Sequence, residues 1–492
     1  MSERVVVIGA GIAGLCSALA LSSPAREIVI LEKDPPPPAG DADQAFFDWD
    51  RRGVGQLRHS HAFLARLRGI IKQRHPALLE QLRAAGCREI GLLDVLPARL
   101  RDAYQPMAED ADLSVLTSRR TTLELVIRRY VEALPGVKVL ADVIVRGLII
   151  RLEGSDRHRV CGVEGDLGGA ARSWLGDLVI DAAGRNSQTA EQLTQAGVVV
   201  AEETEDCGIL YFTRHYRLNP EAVEPPRGGR STTGDLSFVK YGLFPGDNRC
   251  FSITLAAPEI ETALRQAIVD PAVFDKICSL LPGIAAWTAS ATAQPISKVF
   301  GMGDLKSRWR SFVSPDQQAA LGFFAVGDSL IRTNPLYGRG CSFAAVEAEI
   351  LRGVLDDVSD PAARARLYDT RVKSELSPYF DGMRTQDRAA VQRARNAQNP
   401  AYAAPLRERV TTSFINDGAR IAMRSDIDLL RAALRDFHMI DPPGAWMRRP
   451  ANAAKIMRWW ARGRRRNADL YPPPLGPSRG EMLRLLGLPI AA

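Results

Sequence analysis

The chain opens on a segment that leaves little freedom of fold. Val5-Val6-Val7-Ile8 is a β-branched apolar run without a polar break, and it leads into Gly9-Ala10-Gly11-Ile12-Ala13-Gly14. Leu15 to Leu21 has helix-forming composition, and a second apolar run, Ile28-Val29-Ile30-Leu31, ends in Glu32. Strand, glycine turn, helix, strand and acidic residue follow in the order of a dinucleotide-binding βαβ unit. Gly9 permits the tight turn off the strand, and Gly11 lets the backbone approach a pyrophosphate without a Cβ in the way. Gly14 lets the helix pack closely on the sheet. The N–H groups and dipole at the helix start then hold phosphate charge. Glu32 lies 18 residues past Gly14, near the roughly 20 expected of a carboxylate that binds a ribose hydroxyl pair. The unit predicts an adenine dinucleotide and does not choose between NAD and FAD.

At 492 residues the chain is long for one core, and length predicts roughly two to three domains. A net charge of +7, concentrated near the C-terminus, is too mild to predict nucleic-acid binding. The first strand begins within a few residues of the start, which leaves no room for a secretory signal, and no apolar stretch reaches membrane-spanning length. Seven cysteines without a CxxC pair read as neither a disulfide framework nor a zinc site, so a reducing cytoplasm is expected and no metal. Cys16 and Cys341 read as small core residues.

Asp34-Pro35-Pro36-Pro37-Pro38-Ala39-Gly40 must be a loop. Arg51-Arg52-Gly53-Val54-Gly55-Gln56-Leu57-Arg58-His59-Ser60-His61 reads as a second loop lining a cofactor pocket, with Arg58, His59 and His61 as donors to an anionic group. Helices are expected from Phe63 through Ile71, over 76–91 to a Gly86 stop, and from near Thr121 to Leu134. Strands are expected at Val137–Leu140 and Val143–Val145, and a hairpin over 151–168. Leu178-Val179-Ile180-Asp181 is a buried strand, and its Asp with the turn Ala182 to Ser187 can face a cofactor. Between about 200 and 300, aromatic and β-branched runs alternate with turns at Pro225–Gly229 and Pro245–Asp247, which predicts an inserted antiparallel sheet roofing a substrate cavity. Phe323 to Ser329 is another strand ending in Gly-Asp, and it continues through Asn334-Pro335-Leu336-Tyr337-Gly338-Arg339-Gly340 into a helix from Cys341 to Leu355. Asp328 can accept from a ribityl hydroxyl, and the Gly338 to Gly340 turn offers N–H groups to a pyrimidine oxygen. Past 370 the chain reads as helical, with Trp459-Trp460 beside an arginine cluster that can either dock on the body or rest on an anionic membrane.

Three segments in this order, Gly9–Glu32, Asp181–Ser187 and Gly327–Gly340, resemble the flavin-dependent monooxygenases of the para-hydroxybenzoate hydroxylase superfamily. The stretch from Arg52 to His61 looks like a narrower branch, R-G-V-P-Q-x-R-H-x-H, that includes bacterial flavin epoxidases acting on polyether polyketide precursors; here Gly55 replaces the proline. Asn334 to Gly340 is similar to that branch's N-P-x-Y-G-x-G. The resemblance spans about residues 4 to 355.

It implies FAD with its adenosine end on Gly9, Gly11, Gly14 and Glu32, Asp328 at the ribityl–pyrophosphate region, and Gly338 to Gly340 beside the isoalloxazine. Arg120, in the Arg120-x-x-Leu123 pattern, matches a family arginine that reaches the cofactor. The full cofactor set is Gly9, Gly11, Ala13, Gly14, Glu32, Lys33, Arg58, Arg120, Val143, Asp328, Pro335, Gly338 and Gly340, with His59 and His61 as candidate catalytic residues. The implied architecture is a Rossmann-like α/β FAD-binding domain at 1–195 and 301–370, an inserted β-sheet substrate domain at 196–300 and a helical region at 371–492.

The implied activity is insertion of one oxygen atom from O2 into an apolar small molecule, by hydroxylation or epoxidation through a flavin C4a-hydroperoxide, in secondary metabolism. The superfamily's Asp-Gly pair appears here as Asp181-Ala182-Ala183-Gly184, so electrons are expected from NAD(P)H or a partner flavin reductase. The W-x-W-x-I-P pattern of flavin halogenases is missing. A flavin reductase saturating prenyl double bonds is an alternative reading, and a non-catalytic flavoprotein held at membranes is another.

Overall fold

Five parallel strands lie side by side in the order Phe323–Ala325, Leu178–Asp181, Glu3–Ile8, Arg26–Leu31 and Val137–Leu140. Their register aligns Ile8 with Asp181 and Leu31, Asp181 with Ala325, and Leu31 with Leu140, so the carboxyl ends finish at one level. Segments distant in sequence therefore begin their loops next to one another, at the edge where open α/β sheets bind ligands. The computed structural model describes residues 2–154, 157–226, 231–314, 319–399 and 401–489. The architecture is the expected one: a Rossmann-like mixed α/β core, antiparallel sheets and many C-terminal helices.

Covering both faces explains why the parallel strands carry unbroken apolar runs such as Val5 to Ile8 and Ile28 to Leu31. Helix Ile12–Leu21 is buried almost all round, held between the sheet and the helix Gly340–Asp357. The antiparallel hairpin Val143–Glu153 and Arg157–Leu167 appears as expected, its turn at 155–156 lying outside the described residues, and Ala170–Leu175 adds a third strand.

A six-stranded antiparallel sheet orders Thr233–Asp235, Lys240–Pro245, Cys250–Pro258, Ile209–Leu218 and Ala293–Pro295, with Phe300–Met302 also pairing Ile209–Leu218. The period-2 alternation of these strands separates two faces. Phe212, Tyr216, Phe251, Ile253 and Leu255 face a second core shared with the helix Pro271–Leu280. Of the turn expected at Pro225–Gly229, residues 227–229 fall outside the described residues.

Two helix expectations are corrected. The 76–91 segment is a helix only over Pro76–Ala84; Gly86 turns at φ +86° and Arg88–Ile90 is a strand pairing with Val115–Thr117. Phe63 ends a strand, Ser60–Phe63, paired with Leu116–Arg119, and the helix starts at Ala65. In both places a sheet partner some 30 to 60 residues away overrides the local helical pattern.

Beyond the 37-residue helix Pro361–Ala397 come shorter helices, among them Ile427–Phe437 and Pro450–Arg462. Trp460 donates to Ser413 Oγ at 3.1 Å and meets Phe414 edge-on, while Trp459 packs on the cluster around Ile456. Among the described residues no helix is long and apolar enough to cross a membrane. The last helix, Arg479–Leu485, returns to the antiparallel sheet: Met482 and Leu483 join its core, and Arg479 pairs with Glu261.

Candidate functional site

One cavity of about 1480 Å³ opens at the carboxyl edge of the parallel sheet. Single-ligand pockets usually hold roughly 300–1,000 Å³, so there is room for a cofactor and a second molecule. Gly9, Gly11, Ala13, Glu32, Lys33, Arg120, Val143, Asp328, Pro335, Gly338 and Gly340 line it, together with His59 and His61. Gly14 and Arg58 do not. Tyr211, Thr213, Thr254 and Ala256, the other face of the antiparallel sheet, line it as well.

The three glycines of the first turn differ in what they do. Gly9 holds φ +95°, and a Cβ there would meet Ala182 O at 2.7 Å. A Cβ on Gly14 would sit 1.9 Å from Gly9 O, so Gly14 serves helix–strand packing beneath the cavity. A Cβ on Gly11 would meet nothing within 4 Å; it would project into open space where a ligand approaches.

Glu32 is tied into a buried ion network that sequence reading does not reveal. Its Oε2 accepts from Ala10 N at 2.7 Å and from Arg51 Nη2 at 2.6 Å, and its Oε1 accepts from Asp34 N at 2.9 Å. Arg51 Nη1 donates to Glu124 Oε2 at 3.0 Å, and Arg120 Nη2 donates to Glu124 Oε1 at 2.7 Å. Burial works against ionising Glu124, but Arg120 and Arg51 hold its carboxyl below the usual range. Arg120 Nη1 points at Cys341 Sγ, 3.6 Å away, while its Nε is buried without a partner. Glu32, Arg51, Glu124 and Arg120 thus form a continuous chain from the first strand pair to the start of the helix Gly340–Asp357.

Several expectations are corrected by side-chain direction. Arg58 turns away from the cavity: its guanidinium lies over Phe46 and reaches Phe47 O. Cys341 packs against the main core as expected but also lines the cavity, and burial raises its thiol pKa. Asp181 faces inward, because its carboxylate accepts from Ser187 Oγ and Thr189 Oγ1 at 2.5 Å, from Ala183 N at 3.0 Å and from Ser329 Oγ at 3.1 Å. It clamps the turn that follows it to the Gly327–Ser329 turn, and Ala182, Ala183, Gly184 and Arg185 are among the residues that line the cavity. Gly55, where the branch pattern has proline, leaves space for Arg185: a Cβ there would lie 2.8 Å from its Nη2.

The histidines are neutral. Burial lowers the His59 pKa to about 4 and depresses that of His61 well below its usual value, with Arg120 adding to the effect on His61. His61 Nδ1 lies 2.9 Å from His59 O. A carbonyl only accepts, so the proton sits on Nδ1 and Nε2 is an acceptor. The expected donor role of His61 toward an anion is therefore reversed. His59 Nδ1 joins Thr213 Oγ1 at 2.9 Å, which continues to Thr254 Oγ1, Ser60 Oγ and Ser252 Oγ.

Asp328 presents its side chain to the cavity; burial raises its carboxyl pKa against the pull of nearby arginines. The glycine turn that follows is anchored from the long helix Pro361–Ala397. Asp387 Oδ1 accepts from Tyr337 OH at 2.8 Å and from Asn334 Nδ2 at 2.9 Å, and Asn334 Oδ1 accepts from Tyr211 OH at 2.7 Å. Gly338 takes φ +63° at the bend. Among the described residues no group of three His, Cys, Asp or Glu is placed to hold a metal.

Residues 4–206 match the family of FAD binding domains. Protein Rv3254 of Mycobacterium tuberculosis is 29% identical over 370 residues, 72% of this chain and 73% of that one. The flavin-dependent brominase Bmp2 superposes with a TM-score of 0.55 at 17% identity, over 94% of this chain and 100% of its own. PqsL of Pseudomonas aeruginosa, assigned as an FAD-dependent monooxygenase, gives 0.56 at 14% identity, over 80% and 98%. CmlS, a flavin-dependent halogenase, gives 0.59 at 17% identity, over 88% and 77%. At these identities the solved structures share the fold.

Proposed function

We propose that the chain is an FAD-dependent monooxygenase that hydroxylates or epoxidises an apolar small molecule. The observation that carries this reading is one cavity running from the Gly9–Gly14 turn, past Asp328, to the Gly338–Gly340 turn and on beneath the face of the antiparallel sheet. NAD bound at Gly9 would not need the second Gly-Asp strand or the glycine turn more than 300 residues downstream; FAD uses both.

The residues present fit FAD. The space beyond Gly11, the unpartnered Nε of Arg120 and Asp328 on the cavity lining would be available to its polar parts. Gly9, Gly11, Ala13, Glu32 and Lys33 would hold the adenosine and pyrophosphate, and Arg120, Val143, Asp328, Pro335, Gly338 and Gly340 the rest. Gly14 acts indirectly, by letting the helix approach. When bound and reduced, FAD supplies the activation of O2 for transfer of one oxygen atom; electrons come from NAD(P)H, directly or through a partner flavin reductase.

This chain's residues orient the substrate and keep water out. The sheet face, the segment from Ile90 to Leu96 and the C-terminal helices enclose the chamber with mostly apolar side chains. His61 Nε2 is a hydrogen-bond acceptor for a substrate hydroxyl, and the hydroxyl chain beginning at Thr213 fixes His59. The likeness to the halogenases and to PqsL alike is one of fold.

Mixing the reduced, FAD-loaded protein with O2 in a stopped-flow spectrometer tests the reading. A transient with a spectrum distinct from both reduced and oxidised cofactor, long-lived enough to resolve, supports it. Direct return to the oxidised spectrum with every apolar ligand tried contradicts it, as does turnover without O2, the mark of a prenyl reductase.

A further inference from the structure

Beyond the glycine turn the cavity can be followed residue by residue. Gly338 faces Leu64, and Ala65 N donates to His438 Nδ1 at 3.5 Å, which leads to the helix Ile427–Phe437 with Leu434 and Phe437 on the lining. Just before that helix, Arg424 Nε donates to Leu470 O at 2.9 Å. Burial, and after it the nearby charge of Arg99, disfavours the charged form of Arg424, and Arg101 lines the same cavity.

Three arginines thus line one end of the cavity, with Arg99 a charge neighbour of Arg424. The side chains of Arg99 and Arg101 make no hydrogen bond or ion pair among the described residues, and both η nitrogens of Arg424 are free. Two carboxylates also line this end. Asp94 is committed to Gly91 N at 2.8 Å, and Asp469 forms no ion pair with the arginines. Neighbouring guanidinium groups with free N–H donors can share one anion, which offsets their repulsion and takes charge-assisted hydrogen bonds.

We propose that Arg99, Arg101 and Arg424 form an anion-recognition subsite, so that the ligand of this chamber has an apolar body and one anionic end, a carboxylate or a phosphate. The anionic end sits between the arginines and the apolar body reaches back toward Gly338. That the ligand is the substrate rests on the monooxygenase reading; the subsite itself does not.

Calorimetric titration of the FAD-loaded protein with dodecanoate, dodecyl phosphate and dodecanol, without reductant, tests the subsite. At least one anion is expected to bind about tenfold more tightly than the alcohol, with the advantage shrinking as salt rises. Preference for dodecanoate alone assigns a carboxylate, and preference for dodecyl phosphate alone assigns a phosphate. The advantage should vanish in R99Q/R101Q, whose exposed side chains do not support the fold, and in R424Q if it keeps its FAD and melting temperature. Equal binding of all three ligands, or an anion preference that survives R99Q/R101Q, overturns the proposal. An anion preference in a protein that oxygenates nothing would retain the subsite and reject the monooxygenase.

Discussion

Arg51 donates to Glu32 at 2.6 Å with both side chains almost fully buried, 1% and 5% exposed, while its other η nitrogen holds Glu124. A single guanidinium therefore joins the acidic end of the dinucleotide-binding unit to the helix that carries Arg120. Removing one partner of such a buried network costs roughly 3–5 kcal/mol, because the remaining carboxylates lose their compensation. Arg51→Met is expected to destabilise the apoprotein by about that amount in urea denaturation and to weaken FAD binding. A loss below about 1 kcal/mol would show that the network is exposed to solvent.

The glycines separate fold from ligand. Gly14→Ala drives a methyl group into Gly9 O and is expected to damage the apoprotein itself, by about 1–3 kcal/mol or more. Gly11→Ala adds its methyl to open space, so the apoprotein should unfold almost as wild type does. Its FAD affinity should nevertheless fall sharply. Equal effects of the two substitutions on apoprotein stability would contradict this division.

Buried histidines set an acid limit. Burial lowers the pKa of His59 and His438 to about 4 and that of His215 to about 3, from 6.5. Above 6.5 folded and unfolded states are alike in charge at these groups. As pH falls from 6.5 toward 4 the unfolded chain takes up protons that the folded chain refuses, so stability falls by about 1.4 kcal/mol per pH unit for each group. Chemical denaturation between pH 7 and 4.5 should show this slope, and His438→Gln should flatten it. An unchanged slope would mean that His438 is protonated when folded.

How much of this was legible in the sequence follows from how local each interaction is. Gly9 to Glu32 is one continuous unit whose residue types act on their neighbours, and the structure builds it as read, as it does the strand ending at Asp181; the strand read over Phe323 to Ser329 stops at Ala325, and Gly327–Ser329 is a 3-10 turn. The partners of Arg51 lie 19 and 73 residues away, and Asp387 is 53 residues from Asn334; nothing in either segment names the other. Side-chain direction was also hidden. Arg58 and His59 are neighbours in a basic run, yet only His59 lines the cavity, and Asp181 spends its carboxylate on the loop it ends. The helical pattern at Phe63 yielded to strand pairing that only the fold supplies.

Asp387 should behave as a positioning residue for the glycine turn. Asp387→Ala leaves Tyr337 OH and Asn334 Nδ2 without their acceptor, at a cost of about 1–3 kcal/mol for each group that stays dry. The expected result is faster hydrogen exchange at residues 334–340 and a blue-shifted or broadened flavin spectrum, with Asp387→Asn recovering part of both. Unchanged exchange in that turn would place its anchoring elsewhere.

The central claim, transfer of an oxygen atom from O2 inside this cavity, is met most directly by isotopic labelling. The FAD-loaded protein is reduced chemically, given apolar acids, alkenes and phenols, and exposed to O2 carrying heavy oxygen in ordinary water. One heavy oxygen atom per product molecule, in a hydroxyl or an epoxide, is the predicted result. Product that carries water oxygen, or that gains two hydrogens without O2, would contradict it.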